Sequence, residues 1–129
     1  MMQDLINDAI TSIRNSVRVG KSECTVKPTS KLLVEILKAF QKDGYLGEFE
    51  YTDNGRGGRI KIQLGKTIND CGVIKPRFPV QKDSYVKWEK RFLPASDFGL
   101  LVVSTPKGIM SHREAKEKGH GGRLLAYIY

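Results

Sequence analysis

GLLVVSTPKGIMSHREAKEKGHGGRLLAYIY, residues 99–129, is the stretch that decides the fold. Leu100-Leu101-Val102-Val103 is a short unbroken apolar run, the pattern of a buried strand. Pro106 and Gly108 mark Ser104 to Gly108 as a turn. Ser111, with Glu114 three residues on, fits a capping box. The Ser111 hydroxyl would accept from the Glu114 N–H, and the Glu114 carboxylate would reach back to the N–H of Ser111. The helix so started runs to Lys118 and breaks at Gly119. His120-Gly121-Gly122 is a second tight loop, and Leu124 to Tyr129 is a terminal strand.

Upstream, Val73-Ile74-Lys75-Pro76-Arg77-Phe78 reads as one edge strand, because Pro76 has no N–H to give to a ladder. Asp83 to Phe92 reads as a short helix stopped by Leu93-Pro94. Gly65 to Gly72 reads as a joint. Before it, Leu5, Ile6, Ala9, Ile10, Ile13 and Val17 recur at three- and four-residue steps, so the chain opens with an amphipathic helix that Gly20 stops. Glu23 to Lys27 suits a short strand. Pro28-Thr29-Ser30 reads as the start of a second helix with Leu32, Leu33, Ile36, Leu37 and Phe40 on one face, ended by Gly44. Phe49 and Tyr51, then Ile60, Ile62 and Leu64, alternate with polar residues and predict two strands. Asp53-Asn54-Gly55-Arg56-Gly57-Gly58 between them is a hairpin signal. The expected fold is α+β in two small lobes: an N-terminal α-β-α-β-β lobe over residues 1–66, its two helices on one sheet face, and a mostly β lobe with short helices over residues 67–129.

The chain of 129 residues carries a net charge of +8, which favours a polyanionic partner. The excess is uneven: ten Lys/Arg face eight Asp/Glu in residues 1–64, and twelve face six in residues 65–129. The second lobe should therefore carry more of the electrostatic work. Two cysteines, Cys24 and Cys71, are too few for a disulfide scaffold and read as buried reduced thiols of a cytosolic protein. No segment reads as a signal peptide or a membrane span, so no membrane partner is expected.

For Ser104, Thr105, Pro106, Lys107 and Gly108, two readings stand level. Hydroxyls and main-chain groups suit base edges and riboses, and Lys107 suits phosphate; equally, Pro106 and Gly108 suit a plain turn. His120, Gly121 and Gly122, beside Arg123, offer bare backbone to RNA or simply a helix cap and turn. Because the two loops bracket one capped helix, they are expected to share an edge. That would gather Ser104, Thr105, Lys107, Arg113, Lys118, His120 and Arg123 on one surface. Lys82, Lys87, Lys90 and Arg91 surround Tyr85 and Trp88, a pattern able to grip backbone and stack on bases. Trp88 reads better as core, whereas Tyr85 stays open. Arg14, Lys21 and Lys31 at helical ends, and Arg56, Arg59 and Lys61 on the hairpin, are either solvated or long-range RNA contacts.

Nothing points to an enzyme, a cofactor, a metal or a small-molecule substrate. His112 and His120 lack partners at metal-ligand spacing, and a hydrolase built on either near Glu114 is a remote reading. A basic protein-interaction adaptor without specific RNA recognition is the alternative to an RNA binder.

The whole chain resembles the universal small-subunit ribosomal protein eight family. The resemblance is carried by Ser104 to Arg123 with the following Leu-Leu-Ala-Tyr-Ile-Tyr, by the helix from Asp4 to Asn15, and by the helix start Pro28-Thr-Ser-Lys31. Val73 to Phe78 and Trp88 to Pro94 look like the archaeal and eukaryotic branch. The resemblance implies a cytoplasmic, ribosomal protein that binds the central domain of small-subunit rRNA, supports its assembly and touches neighbouring small-subunit ribosomal proteins. It implies that the C-terminal lobe makes most RNA contacts, through the loop at Ser104–Gly108 and the glycine loop at Gly121 and Gly122. Pro106 stands where the family usually has serine, so one hydroxyl is missing. Bacterial members also bind their own mRNA through a mimic of the rRNA site, which adds that mRNA as a partner the resemblance suggests.

Overall fold

A computed structural model describes residues 5–27, 31–52, 58–65, 68–75, 77–95 and 98–129. The first apolar stripe forms helix α1 (Leu5–Arg18), with Ala9, Ile10 and Ile13 buried. Strand β1 (Glu23–Val26) buries Cys24 and Val26 and exposes Glu23 and Thr25. Helix α2 (Lys31–Lys42) buries Leu33, Ile36, Leu37 and Phe40. Strands β2 (Leu46–Thr52) and β3 (Arg59–Leu64) complete an antiparallel sheet of order β1-β3-β2. The Pro28-Thr29-Ser30 helix start and the Asn54-Gly55 turn lie outside the described residues.

The second sheet is built on two central strands, β6 (Leu100–Thr105) and β8 (Gly122–Ile128), paired antiparallel. Strand β7 (Gly108–Ser111) flanks β6, and β4 (Cys71–Val73) and β5 (Pro79–Val80) both pair with β8. Helices α3 (Tyr85–Phe92) and α4 (His112–Lys118) complete the fold. The single edge strand expected over Val73–Phe78 is thus two short ones. Between them β8 keeps partners, because Ile74 N–H donates to the Leu125 carbonyl and Leu124 N–H to the Phe78 carbonyl, at 2.9 and 3.0 Å. Pro76 lies outside the described residues. The expected Asp83–Phe92 helix starts at Tyr85, since Gln81 to Ser84 close a turn first.

Strand β6 is apolar on both sides because both sides are covered. Leu100 and Val102 face a core shared with α1, α2 and the first sheet, whereas Leu101 and Val103 face Tyr85, Trp88 and Ala115. A bulge lies between Val102 and Val103, which pair with Ala126 and Leu124. The extra residue, Leu125, lets both Leu125 and Ala126 enter the first core. The two helices that pack on the first sheet reach the second as well. Helix α1 packs on β4 as well as β1, and α2 packs on β6, β7 and β8 as well as β2. Cys24 and Cys71 are buried free thiols, and burial pushes the Cys71 thiol up to about 12. No helix among the described residues is long and apolar enough to cross a membrane.

Candidate nucleic-acid interface

The turn expected at Ser104–Gly108 is the tip of a tight β6–β7 hairpin. Thr105 pairs with Gly108, leaving Pro106 and Lys107 as the exposed tip. Proline's fixed φ suits the first tip position. Gly108, at φ +122° with open space around it, supplies the conformation that lets β7 depart. Strand β7 itself was not expected from the sequence.

Thr105 does not offer its hydroxyl to a ligand in this arrangement. The residue is buried, its Oγ1 donates to the Gly108 carbonyl at 2.7 Å, and it accepts from the Lys107 N–H at 3.2 Å. The hydroxyl expected to read bases thus locks the turn. Thr105→Val, which keeps the shape and deletes both bonds, should destabilise the protein by about 1–2 kcal/mol. Denaturant melts check the loss, and an unchanged midpoint would return the hydroxyl to the RNA.

Ser104 sits on the opposite face of β6, half-buried, and its hydroxyl has no partner among the described residues. Its backbone pairs with Ile109 on one side and with Arg123 on the other. That register brings the two loops together. A Cβ on Gly122 would collide with the Ser104 carbonyl oxygen, and one on Gly121 would stand 2.6 Å from the Val80 carbonyl oxygen. Both glycines are thus required by close approach of protein backbone.

His120 holds the loop from the other end. Its N–H donates to the Ala115 carbonyl at 2.8 Å, and its carbonyl accepts from the Tyr85 phenol at 2.7 Å. Tyr85 is only 1% exposed, so its expected place in RNA contact is corrected. It lies on the same helical face as Trp88 and Phe92 and anchors the glycine loop. Burial pushes its phenol up, which keeps it a donor.

Helix α4 satisfies half of the expected capping box. Ser111 Oγ accepts from Glu114 N–H at 3.1 Å, but the Glu114 carboxylate turns to Lys118 and Lys42, at 3.1 and 3.4 Å. Gly119, at φ +73°, ends the helix. Arg113, expected to face RNA, donates to the Gly99 carbonyl at 2.9 Å and pairs with Asp43 at 3.4 Å. It fastens α4 to the end of α2. Lys118 is exposed, and with Lys107 and Arg113 it lines an open groove of about 580 Å³ between α2 and α4.

Arg14 has a protein partner. It clasps Asp70, Nε to Oδ1 at 2.6 Å and Nη2 to Oδ2 at 3.2 Å, which ties α1 to the start of β4. Lys31 is exposed on the first turn of α2. Lys61 pairs with Glu23 at 3.3 Å, Arg59 is exposed, and Arg56 lies outside the described residues.

The histidines make no catalytic pair. His112 is 2% exposed, with Nδ1 accepting from Leu101 N–H and Nε2 on Glu89 Oε1, both at 3.0 Å. An imidazole with both nitrogens engaged inside the protein has no atom left for a substrate. The structure therefore gathers Ser104, Pro106, Lys107, Gly108 and the His120–Arg123 loop on one end of the β6–β8 pair. Arg77 joins that end, its carbonyl accepting from Arg123 Nη1 at 3.5 Å. Nothing in the local sequence around Arg77 distinguished it from a solvated arginine. Comparison with known protein families matches residues 4–129 to the family model described as ribosomal protein S8.

Proposed function

The chain belongs to the ribosomal protein S8 family, and we propose that it binds a structured segment of the central domain of small-subunit rRNA during subunit assembly. As a member it is a ribosome-associated, cytoplasmic protein that binds small-subunit rRNA alongside other ribosomal proteins. The family is structural and not enzymatic. The observation that carries the finer reading is the Ser104–Arg123 register, which sets an exposed Pro106-Lys107 tip beside a backbone loop held rigid from three sides. Such a surface recognises RNA by shape, with Lys107 and Arg123 neutralising phosphate and Ser104 offering a hydroxyl. The pattern of Val73–Phe78 and Trp88–Pro94 supports the archaeal and eukaryotic branch. A mimic of the rRNA site in this protein's own mRNA would be a second ligand, measurable by competition.

Hydroxyl-radical protection of whole small-subunit rRNA tests the proposal. Protection confined to the central domain is the expected result, and protection elsewhere overturns it. Two variants separate recognition from charge. Ser104→Ala should weaken the cognate RNA more than a scrambled one. Lys107→Ala should weaken both and lower the salt slope by about one. Equal losses for Ser104→Ala on both RNAs would remove Ser104 from recognition.

A further inference from the structure

The basic and aromatic residues around α3 form an ordered array that the hairpin and glycine loop do not use. Phe78 stacks on Trp88 at 4.8 Å, Trp88 on Phe92 at 6.4 Å, Phe92 on Tyr127 at 6.0 Å and Tyr127 on Tyr129 at 6.1 Å, with interplanar angles of 16–25°. Arg91 lies across this column, its guanidinium carbon 4.8 Å from the Phe78 ring centre, 5.4 Å from Phe92 and 5.5 Å from Trp88. Lys87 Nζ is 5.0 Å from the Trp88 ring centre. Pro79 pairs with Arg123 in the β5–β8 register, so Arg77 and Phe78 adjoin the first residues of β8.

The charges here are arranged differently from those of α4. Arg113, Lys116 and Lys118 each have a carboxylate partner. Among the described residues, Arg77, Lys87, Arg91 and Arg123 have none, and all four are exposed. Glu89, the one acid within α3, is engaged by His112 and Lys116. Asp83, in the turn before α3, forms no ion pair with a described residue. Four like charges on one surface repel each other until a polyanion neutralises them. A guanidinium laid on aromatic faces is held in place while its N–H edges stay free for bidentate bonding to phosphate.

We propose that Arg77, Arg91 and Arg123, with Lys87, form a second RNA-binding surface that takes the sugar-phosphate backbone beyond the segment held by the hairpin tip. The proposal rests on the rRNA-binding reading above. Continuity selects RNA over an acidic protein segment: Arg123 follows Gly122, which abuts Ser104, so one strand or its continuation can run from the hairpin tip onto the arginines.

The test compares Arg77→Gln, Arg91→Gln and the double variant, in the full chain, for binding to a central-domain rRNA fragment across salt. Each single change should weaken binding about three- to tenfold, and the double variant should lower the salt slope by about two. Hydroxyl-radical footprints of the double variant should lose a backbone stretch that Lys107→Ala retains. Arg91→Lys, which keeps the charge but not the fork, should fall between wild type and Arg91→Gln. An unchanged slope and footprint in the double variant, with wild type binding normally, overturns the proposal. Normal RNA binding with loss of a neighbouring ribosomal protein overturns it in favour of an acidic protein partner. Failure of wild type to bind the fragment would instead sink the rRNA reading itself. Should Arg91→Gln loosen the aromatic column and unfold, Arg77→Gln and Lys87→Gln carry the same test from exposed positions outside the hairpin and glycine-loop site.

Discussion

Gly122→Ala is expected to be the most damaging single-methyl change in the second lobe. The new Cβ would overlap the Ser104 carbonyl oxygen and stand 2.9 Å from the Ser104 carbonyl carbon and 3.1 Å from Val103 Cγ1. The obstruction is mostly backbone of the neighbouring central strand, so no flexible side chain can swing away. Either β6 and β8 part at this point or their register changes. A cost of about 3 kcal/mol or more follows, at the upper end of overpacking effects. Against a domain stability of roughly 5–15 kcal/mol that is a large fraction. Two alanines calibrate it. Gly121→Ala meets the Val80 carbonyl oxygen at 2.6 Å, at the end of the two-residue edge strand β5 and not in a central strand, so it should cost less. Gly108→Ala meets open space and should cost about 1–2 kcal/mol for its positive φ alone. Urea melts rank the three. A Gly122→Ala protein as stable as wild type but unable to bind RNA would mean that the glycine exists for the ligand and not for the strand pair.

That ranking touches what was legible in the sequence. Features that depend on neighbours within a few residues were readable. The stripes of α1 and α2 repeat at helical spacing, Ser111 caps the helix beside it, and Leu100–Val103 is apolar without interruption because both its faces are covered. Features that depend on distant groups were not. Glu114 could close a capping box or pair with Lys118 four residues on, and the sequence could not show that α2 brings Lys42 to the same carboxylate as a second cation. Arg14 read as solvated or as an RNA contact because its partner Asp70 lies 56 positions away. Tyr85 could not be resolved because its acceptor, the His120 carbonyl, lies 35 residues on. Thr105 was ambiguous for a subtler reason. A hydroxyl in a turn suits a ligand and its own backbone equally well, and only the hairpin geometry decides between them. The resemblance treats the two loops as one unit and does not divide them. The division is that Thr105, Gly121, Gly122 and Tyr85 build the surface, while Ser104, Lys107 and Arg123 remain available on it.

His112→Leu should destabilise the protein by about 2–4 kcal/mol, and the His112 imidazole should also set part of its pH dependence. Strand β7 ends at Ser111, opposite Val102, where the chain turns into α4. The N–H of Leu101 is left without a strand partner on that side, and His112 Nδ1 takes it at 3.0 Å. The opposite nitrogen meets Glu89, whose carboxylate also holds Lys116 at 2.6 Å. Leucine fills a similar space but strands the buried N–H and one side of the carboxylate. Burial holds the His112 pKa below its ordinary value, outweighing the pull of Glu89, with Arg113 and Lys116 adding to the fall. A nitrogen that accepts from Leu101 cannot also carry a proton, which agrees with that direction. In the unfolded chain the same ring titrates near its ordinary value of about 6.5. Below that pH the unfolded state binds a proton that the native state refuses, so the contribution is complete above about pH 6.5 and is lost as pH falls towards the lower native value. The loss approaches about 1.4 kcal/mol per pH unit within that window. His112→Gln can keep the backbone bond while removing the titration, so its stability should vary less than wild type between about pH 7 and about pH 5.5. Parallel pH-dependent melts of the two proteins decide the matter: identical slopes would show that the buried ring contributes nothing to acid sensitivity, and a flattened slope in the glutamine variant alone assigns it to His112.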